Sequence, residues 1–155
     1  PDSENVAFVR NDNNLYRFSL EDRSEEQLTF DGSDNILNGH FGWVYEEEFG
    51  TYDSYKWSPN SKFIAFIRED QTFVKKYPLV DYGSKYPVVK YIRYPKTGED
   101  NPVVSISILD LENKKYRSVK IPETSYYIPD IIWQNNSENL FFATLNRSSI
   151  TFSGL

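Results

Sequence analysis

The 155-residue chain contains neither cysteine nor methionine, and only one histidine. Without thiols there is no disulfide framework and no thiolate metal site, and the compartment cannot be read from cysteine usage. Basic charge is also in short supply: 17 Lys and Arg against 23 Asp and Glu give a formal charge of −6. Phosphate backbones are bound by basic faces, so no nucleic-acid partner is expected. Apolar runs fall far short of a membrane span, and no basic-then-apolar leader stands at Pro1-Asp2-Ser3. No Gly-x-Ser-x-Gly nucleophile elbow occurs, and any triad would have to be built on His40, which reads better as a loop residue. No catalytic residue, no metal site and no cofactor are therefore expected.

What is abundant is aromatic: 17% of residues, with 12 Tyr and 11 Phe, too many for a disordered segment. Aromatic and β-branched residues in short runs, separated by Gly and Pro, favour strands. A repeat organises them. WSPNSKFIAF at 57–66 is echoed by WQNNSENLFF at 133–142, and a copy without its Trp, SENVAFV, spans 3–9. Each copy is a polar turn leading into a buried strand. NLYRFSLE (14–21) follows the first copy, after an Asn11–Asn14 run read as a hairpin turn rather than a calcium loop. In VVSISILDLE (103–112), Val104, Ile106 and Ile108 alternate with Ser105 and Ser107, the period of a half-buried strand. Trp57 and Trp133 hold equivalent repeat positions and are assigned to the core.

Repeated units of four short strands predict an all-β chain, a partial β-propeller of about two four-stranded antiparallel blades. The repeat spacing exceeds one blade, so insertions are placed near 31–51 and 69–101, within a domain spanning 1–147. A two-sheet sandwich is the structural alternative.

The first insertion carries NGHFGWVYEEEFG (38–50). Acidic runs normally sit among polar residues, whereas Glu46, Glu47 and Glu48 are flanked by Trp43, Tyr45 and Phe49. One reading is a short amphipathic helical turn with its aromatics packed down and its glutamates merely solvated. The other is a rigid mount for carboxylates that bracket a compact cation. An N-terminal ammonium has three donors, which two carboxylates can satisfy with charge-assisted bonds.

At these residues the chain resembles the dipeptidyl peptidase IV family. WVYEEEF is similar to the family's double-glutamate motif, WSPNSKFIAFIRED (57–70) to the strand that follows, and YPKTGEDNPVVSISILDL (94–111) to its Tyr-Pro-Lys-x-Gly-x-x-Asn-Pro segment. The resemblance implies that Glu47 and Glu48 hold the substrate's N-terminal ammonium, supported by Trp43, Tyr45 and Glu46. It implies a serine exopeptidase releasing Xaa-Pro or Xaa-Ala dipeptides, with its triad in a C-terminal α/β-hydrolase domain and no activity in this chain alone. It also implies a periplasmic or extracellular setting and homodimers. The family's substrate-carbonyl arginine lies on an earlier blade, so neither Arg10 nor Arg17 inherits it. Two departures stand out: Gly42 where relatives carry an acid before the Trp, and a stretch from 148 to 155, read as a tail apart from the domain. A non-catalytic interaction module and a tripeptide-releasing relative remain alternatives.

Overall fold

In the computed structural model, residues 1–123, 127–146 and 150–154 are described, the last five by backbone alone. The repeat is visible first as backbone geometry. Ser3, Ser61 and Ser137, one from each copy, all adopt the left-handed region, with φ of 65°, 59° and 62°. That region is uncommon for a residue bearing a Cβ, and the three turns pair with one another. Asp2 N donates to Ser61 Oγ (3.2 Å), and Asn60 N donates to Ser137 Oγ (2.9 Å). The hydroxyls of Ser61 and Ser137 thus each tie their turn to the preceding copy, so the repeat is also an inter-sheet fastening.

Each turn leads into an antiparallel sheet. The first sheet holds β1 (Asn5–Val9), β2 (Leu15–Ser19) and β3 (Glu25–Gln27), in that order. Asn13, at φ 61°, closes the β1–β2 hairpin inside the Asn11–Asn14 run. The central sheet contains β4 (Ile36–Asn38), β5 (Tyr55–Trp57), β6 (Phe63–Asp70), β9 (Val103–Asp110) and β10 (Lys115–Val119). Its order is β10-β9-β6, with β4 and β5 both pairing antiparallel to β6 as two halves of one edge strand. The third sheet is β11 (Tyr127–Trp133), β12 (Leu140–Leu145) and β13 (Ile150–Gly154). The stretch read as a tail therefore contributes a strand: Ile150–Gly154 pairs residue for residue with β12, whose edge its β-prone residues fill. Residues 147–149 and 155 lie outside the described residues.

The central sheet is buried on both faces, which explains why FIAFI is continuously apolar. Ile64, Phe66 and Leu109 pack with Ala7 and Leu15 of the first sheet and with Leu28, just past the end of β3. Ala65, Ile67, Val104, Ile106 and Ile108 pack with Ile128, Ile131, Leu140 and Phe142 of the third. Trp57 and Trp133 are partly buried against these two cores, and Trp133 Nε1 also donates to Lys56 O (3.0 Å). Three sheets stacked face to face, the middle one complete with four ribbons, are the blades of a partial propeller.

Two excursions leave the central sheet. One runs from Gly39 to Ser54 between β4 and β5 and carries the only helix among the described residues, α1 (Trp43–Phe49). Ile36–Asn38, inside the span 31–51 set aside as an insertion, is still sheet. The other excursion, between β6 and β9, is the hairpin of β7 (Lys76–Asp81) and β8 (Val88–Arg93). Every residue of β7 is exposed. Arg93 roots the hairpin by donating to Val74 O and to Asn35 Oδ1. No helix among the described residues is long and apolar enough to cross a membrane.

Candidate functional site: the glutamate arm

The arm is a two-stranded stalk with a helix at its tip. Gly39 N donates to Ile67 O (3.1 Å), Ile67 N to Ser54 O (2.8 Å) and Ser54 N to Gly39 O (2.9 Å), so the stalk closes where it leaves the sheet. His40 and Asp53 form an isolated bridge, and Phe41 N donates to Tyr52 O (2.9 Å). His40 is buried at this base, its Nε2 2.9 Å from Asn13 Oδ1, and burial holds its pKa below the ordinary value. A neutral imidazole there braces the stalk.

The helix begins at Gly42, an N-cap with no side chain to satisfy the first turn. A carboxylate from elsewhere does so: Gly42 N donates to Glu69 Oε2 (3.1 Å). The helix ends at Gly50, whose φ of 61° is the left-handed turn that commonly stops a helix, its N–H donating to Tyr45 O. Between these ends Tyr45 and Phe49, four residues apart, share the face turned to the core. Tyr45 is 1% exposed and stacks on Phe41 with ring centroids 3.9 Å apart. Its hydroxyl oxygen accepts a hydrogen bond from Ile128 N (2.8 Å), pinning the arm to the third sheet. Burial pushes its phenol well above the usual range. Phe49 lies against Tyr127 (5.9 Å), and Trp43 meets Tyr94 edge-on (5.0 Å) at the hairpin's root.

Glu46, Glu47 and Glu48 are exposed. At about 100° per residue, Glu47 lies roughly opposite the Tyr45–Phe49 face, with Glu46 and Glu48 on either side. Glu47 and Glu48 fall in the last turn, where the helix dipole is negative and no basic residue compensates. Among the described residues no ion pair reaches any of the three, although seven are formed elsewhere. The helix thus presents three carboxylates to solvent with no cationic side chain paired to them among the described residues. Among the described residues no cluster of three or more His, Cys, Asp or Glu is placed to hold a metal.

The anchors that sequence reasoning missed are Glu69, Gln71 and Ile128. Glu69 is 2% exposed, and burial raises its carboxyl above the ordinary 4.5, opposed by hydrogen bonds from Gln71 and Gly42. One signal was available: Glu69 shares the inward parity of Ala65 and Ile67 on β6, where an acid is out of place. A folded-state carboxyl raised in this way binds its proton more tightly than the unfolded chain does. Its contribution to stability is thus greatest below pH 4.5 and falls as pH climbs through the raised value. Glu69→Gln, which has no such proton, should therefore gain on the wild type as pH rises from 4.5 through that raised value, and hold the gain above it. Urea midpoints of both proteins, followed from acid to neutral pH, check this; a constant difference contradicts it.

The arm is thus a short helix that presents three exposed carboxylates and is tied to the central sheet at Gly42 and to the third sheet at Tyr45. A family model described as the dipeptidyl peptidase IV (DPP IV) N-terminal region matches residues 1–153. The chain belongs to that family. It is 37% identical, over 90% of its length, to a protein described as "Probable dipeptidyl-aminopeptidase B" from Talaromyces marneffei, and 35% identical, over 97%, to dipeptidyl-aminopeptidase B of Aspergillus niger. It spans only 17% and 18% of those proteins. The crystal structure of Porphyromonas gingivalis dipeptidyl peptidase 4 superimposes with a TM-score of 0.90 at 37% identity, covering 98% of this chain and 22% of that one. The partial propeller expected from the repeat is thus shown, within the N-terminal region of a dipeptidyl peptidase IV-like protein.

Proposed function

We propose that the arm is a clamp for the free N-terminus of a peptide, with Glu47 and Glu48 accepting hydrogen bonds from its α-ammonium. The observation carrying this reading is the pair of exposed, uncompensated carboxylates on the negative end of a helix whose other face is locked into the core. An ammonium supplies the missing positive charge and three donors. A clamp that requires a free amine fixes how far the chain reaches beyond it, so a nucleophile at a set distance always meets the same peptide bond. In this reading the parent protein is a serine-type exopeptidase that releases Xaa-Pro or Xaa-Ala dipeptides, in the periplasm or outside the cell. A serine supplied by a C-terminal α/β-hydrolase domain attacks the bond after the second residue. The glutamates position the substrate and make no bond. The same reading supplies a second copy of the chain as partner, for which the exposed apolar side chains of β7–β8, such as Leu79, Val80, Val88 and Val89, offer a surface.

Single changes in the full-length protein test the clamp. Each charge-assisted hydrogen bond contributes about 1.5–3 kcal/mol, so Glu47→Gln or Glu48→Gln should each lower kcat/KM for a Gly-Pro anilide by roughly 10–100-fold. Unchanged hydrolysis in both variants removes the clamp.

A further inference from the structure

Glu69 lies 27 residues from Gly42 in sequence, on a different element, yet its carboxylate is the partner of the N-cap amide of the arm's helix. Its second oxygen, Oε1, accepts from Gln71 Nε2 at 2.6 Å. The two side chains occupy the space a residue at 42 would need. A Cβ built on Gly42 would lie 2.0 Å from Gln71 Nε2 and 2.9 Å from Glu69 Oε1. The glycine before Trp43 is therefore the complement of a buried acid–amide pair, and the anchor that the sequence lacks at position 42 is supplied from β6. Because Gly42 is where the helix starts, fixing its amide fixes the helix's rotation and height above the sheet, and with them the directions of Glu47 and Glu48.

We propose that Glu69 is a positioning residue for the ammonium clamp, acting through the Gly42 amide and held in its rotamer by Gln71. This rests on the clamp reading. Glu69 touches no substrate; it sets where the residues that do are pointed.

The test uses the full-length enzyme with Glu69→Leu and Glu69→Gln. Two rates are read: hydrolysis of a Gly-Pro anilide, and labelling of the catalytic serine by a small organophosphorus ester that carries no ammonium. Loss of a buried acceptor in Glu69→Leu should lower kcat/KM about tenfold, chiefly through KM, while labelling stays within about twofold. Glu69→Gln keeps an oxygen for the Gly42 amide and should remain within about threefold of the wild type. If the Leu variant does not fold, Gly42→Ala pushes on the Gln71 amide from the arm's side and should give the same split between the two rates. The proposal is overturned if Glu69→Leu leaves anilide hydrolysis intact, if labelling falls in parallel with it, or if Gln is as damaging as Leu. Intact hydrolysis in Glu47→Gln and Glu48→Gln removes the clamp itself and this role with it. Impaired hydrolysis in those two variants beside a normal Glu69→Leu removes the positioning role alone.

Discussion

Tyr45→Ala is expected to destabilise the full-length protein by about 3–5 kcal/mol, the range for deleting a buried aromatic ring. The ring stacks on Phe41, lies edge-on to Tyr127, and belongs to the core shared by the central and third sheets. Its hydroxyl oxygen also accepts from Ile128 N, so truncation leaves a buried amide unpaired. Tyr45→Phe separates the two contributions. It keeps the ring and loses only the hydrogen bond, at about 1–3 kcal/mol. Urea unfolding measures both, and a loss below about 1 kcal/mol for the alanine variant would mean that the arm is not part of the core. Activity should fall as well, because the helix then loses its hydrogen bond to the third sheet and keeps there only the contact of Phe49 with Tyr127.

The double variant Glu47→Gln/Glu48→Gln should move activity and stability in opposite directions. With no carboxylate left for the ammonium, kcat/KM for a free-amine dipeptide anilide should fall by at least about 100-fold. The unfolding midpoint should meanwhile rise, because two negative charges leave the negative end of a helix that has no basic residue in its last turn. Ordinary solvated glutamates predict the second effect without the first. Structural glutamates predict a lower midpoint. Paired kinetics and thermal unfolding of the one variant tell the three apart, and the clamp needs both shifts together.

Legibility in the sequence follows burial. Val104, Ile106 and Ile108 were readable as an inward row because one face of β9 is apolar and the other carries serines. The three turns were readable because each needs the same left-handed serine, two of which also fasten to the preceding turn, so the pattern is repeated in the sequence. The aromatics around Glu46–Glu48 indicated a helical turn, and α1 has the Tyr45–Phe49 spacing that such a turn demands. The hairpin was not readable strand by strand. Lys76–Asp81 is exposed throughout, and without a buried face nothing imposes period two on its residues. Ile36–Asn38 escaped because half an edge strand, three residues long, is too short to show a period. Glu69 is different: its inward parity on β6 marks it as out of place, but its partner Gly42 lies 27 positions away, which no local pattern encodes.

The split edge strand has a consequence for how such a site can be exchanged. Along β6, Asn38 pairs with Arg68 and Tyr55 with Phe66, while Ile67 between them bonds to Gly39 through its oxygen and to Ser54 through its nitrogen. Residues 40–54 therefore interrupt the strand without shifting its register; joining Gly39 directly to Tyr55 keeps every other pair in place. The sheet is a socket and the arm a cartridge. Its length and chemistry can change while the blade that holds it keeps its own hydrogen bonds, which makes the position suited to altering what a propeller recognises without rebuilding the propeller.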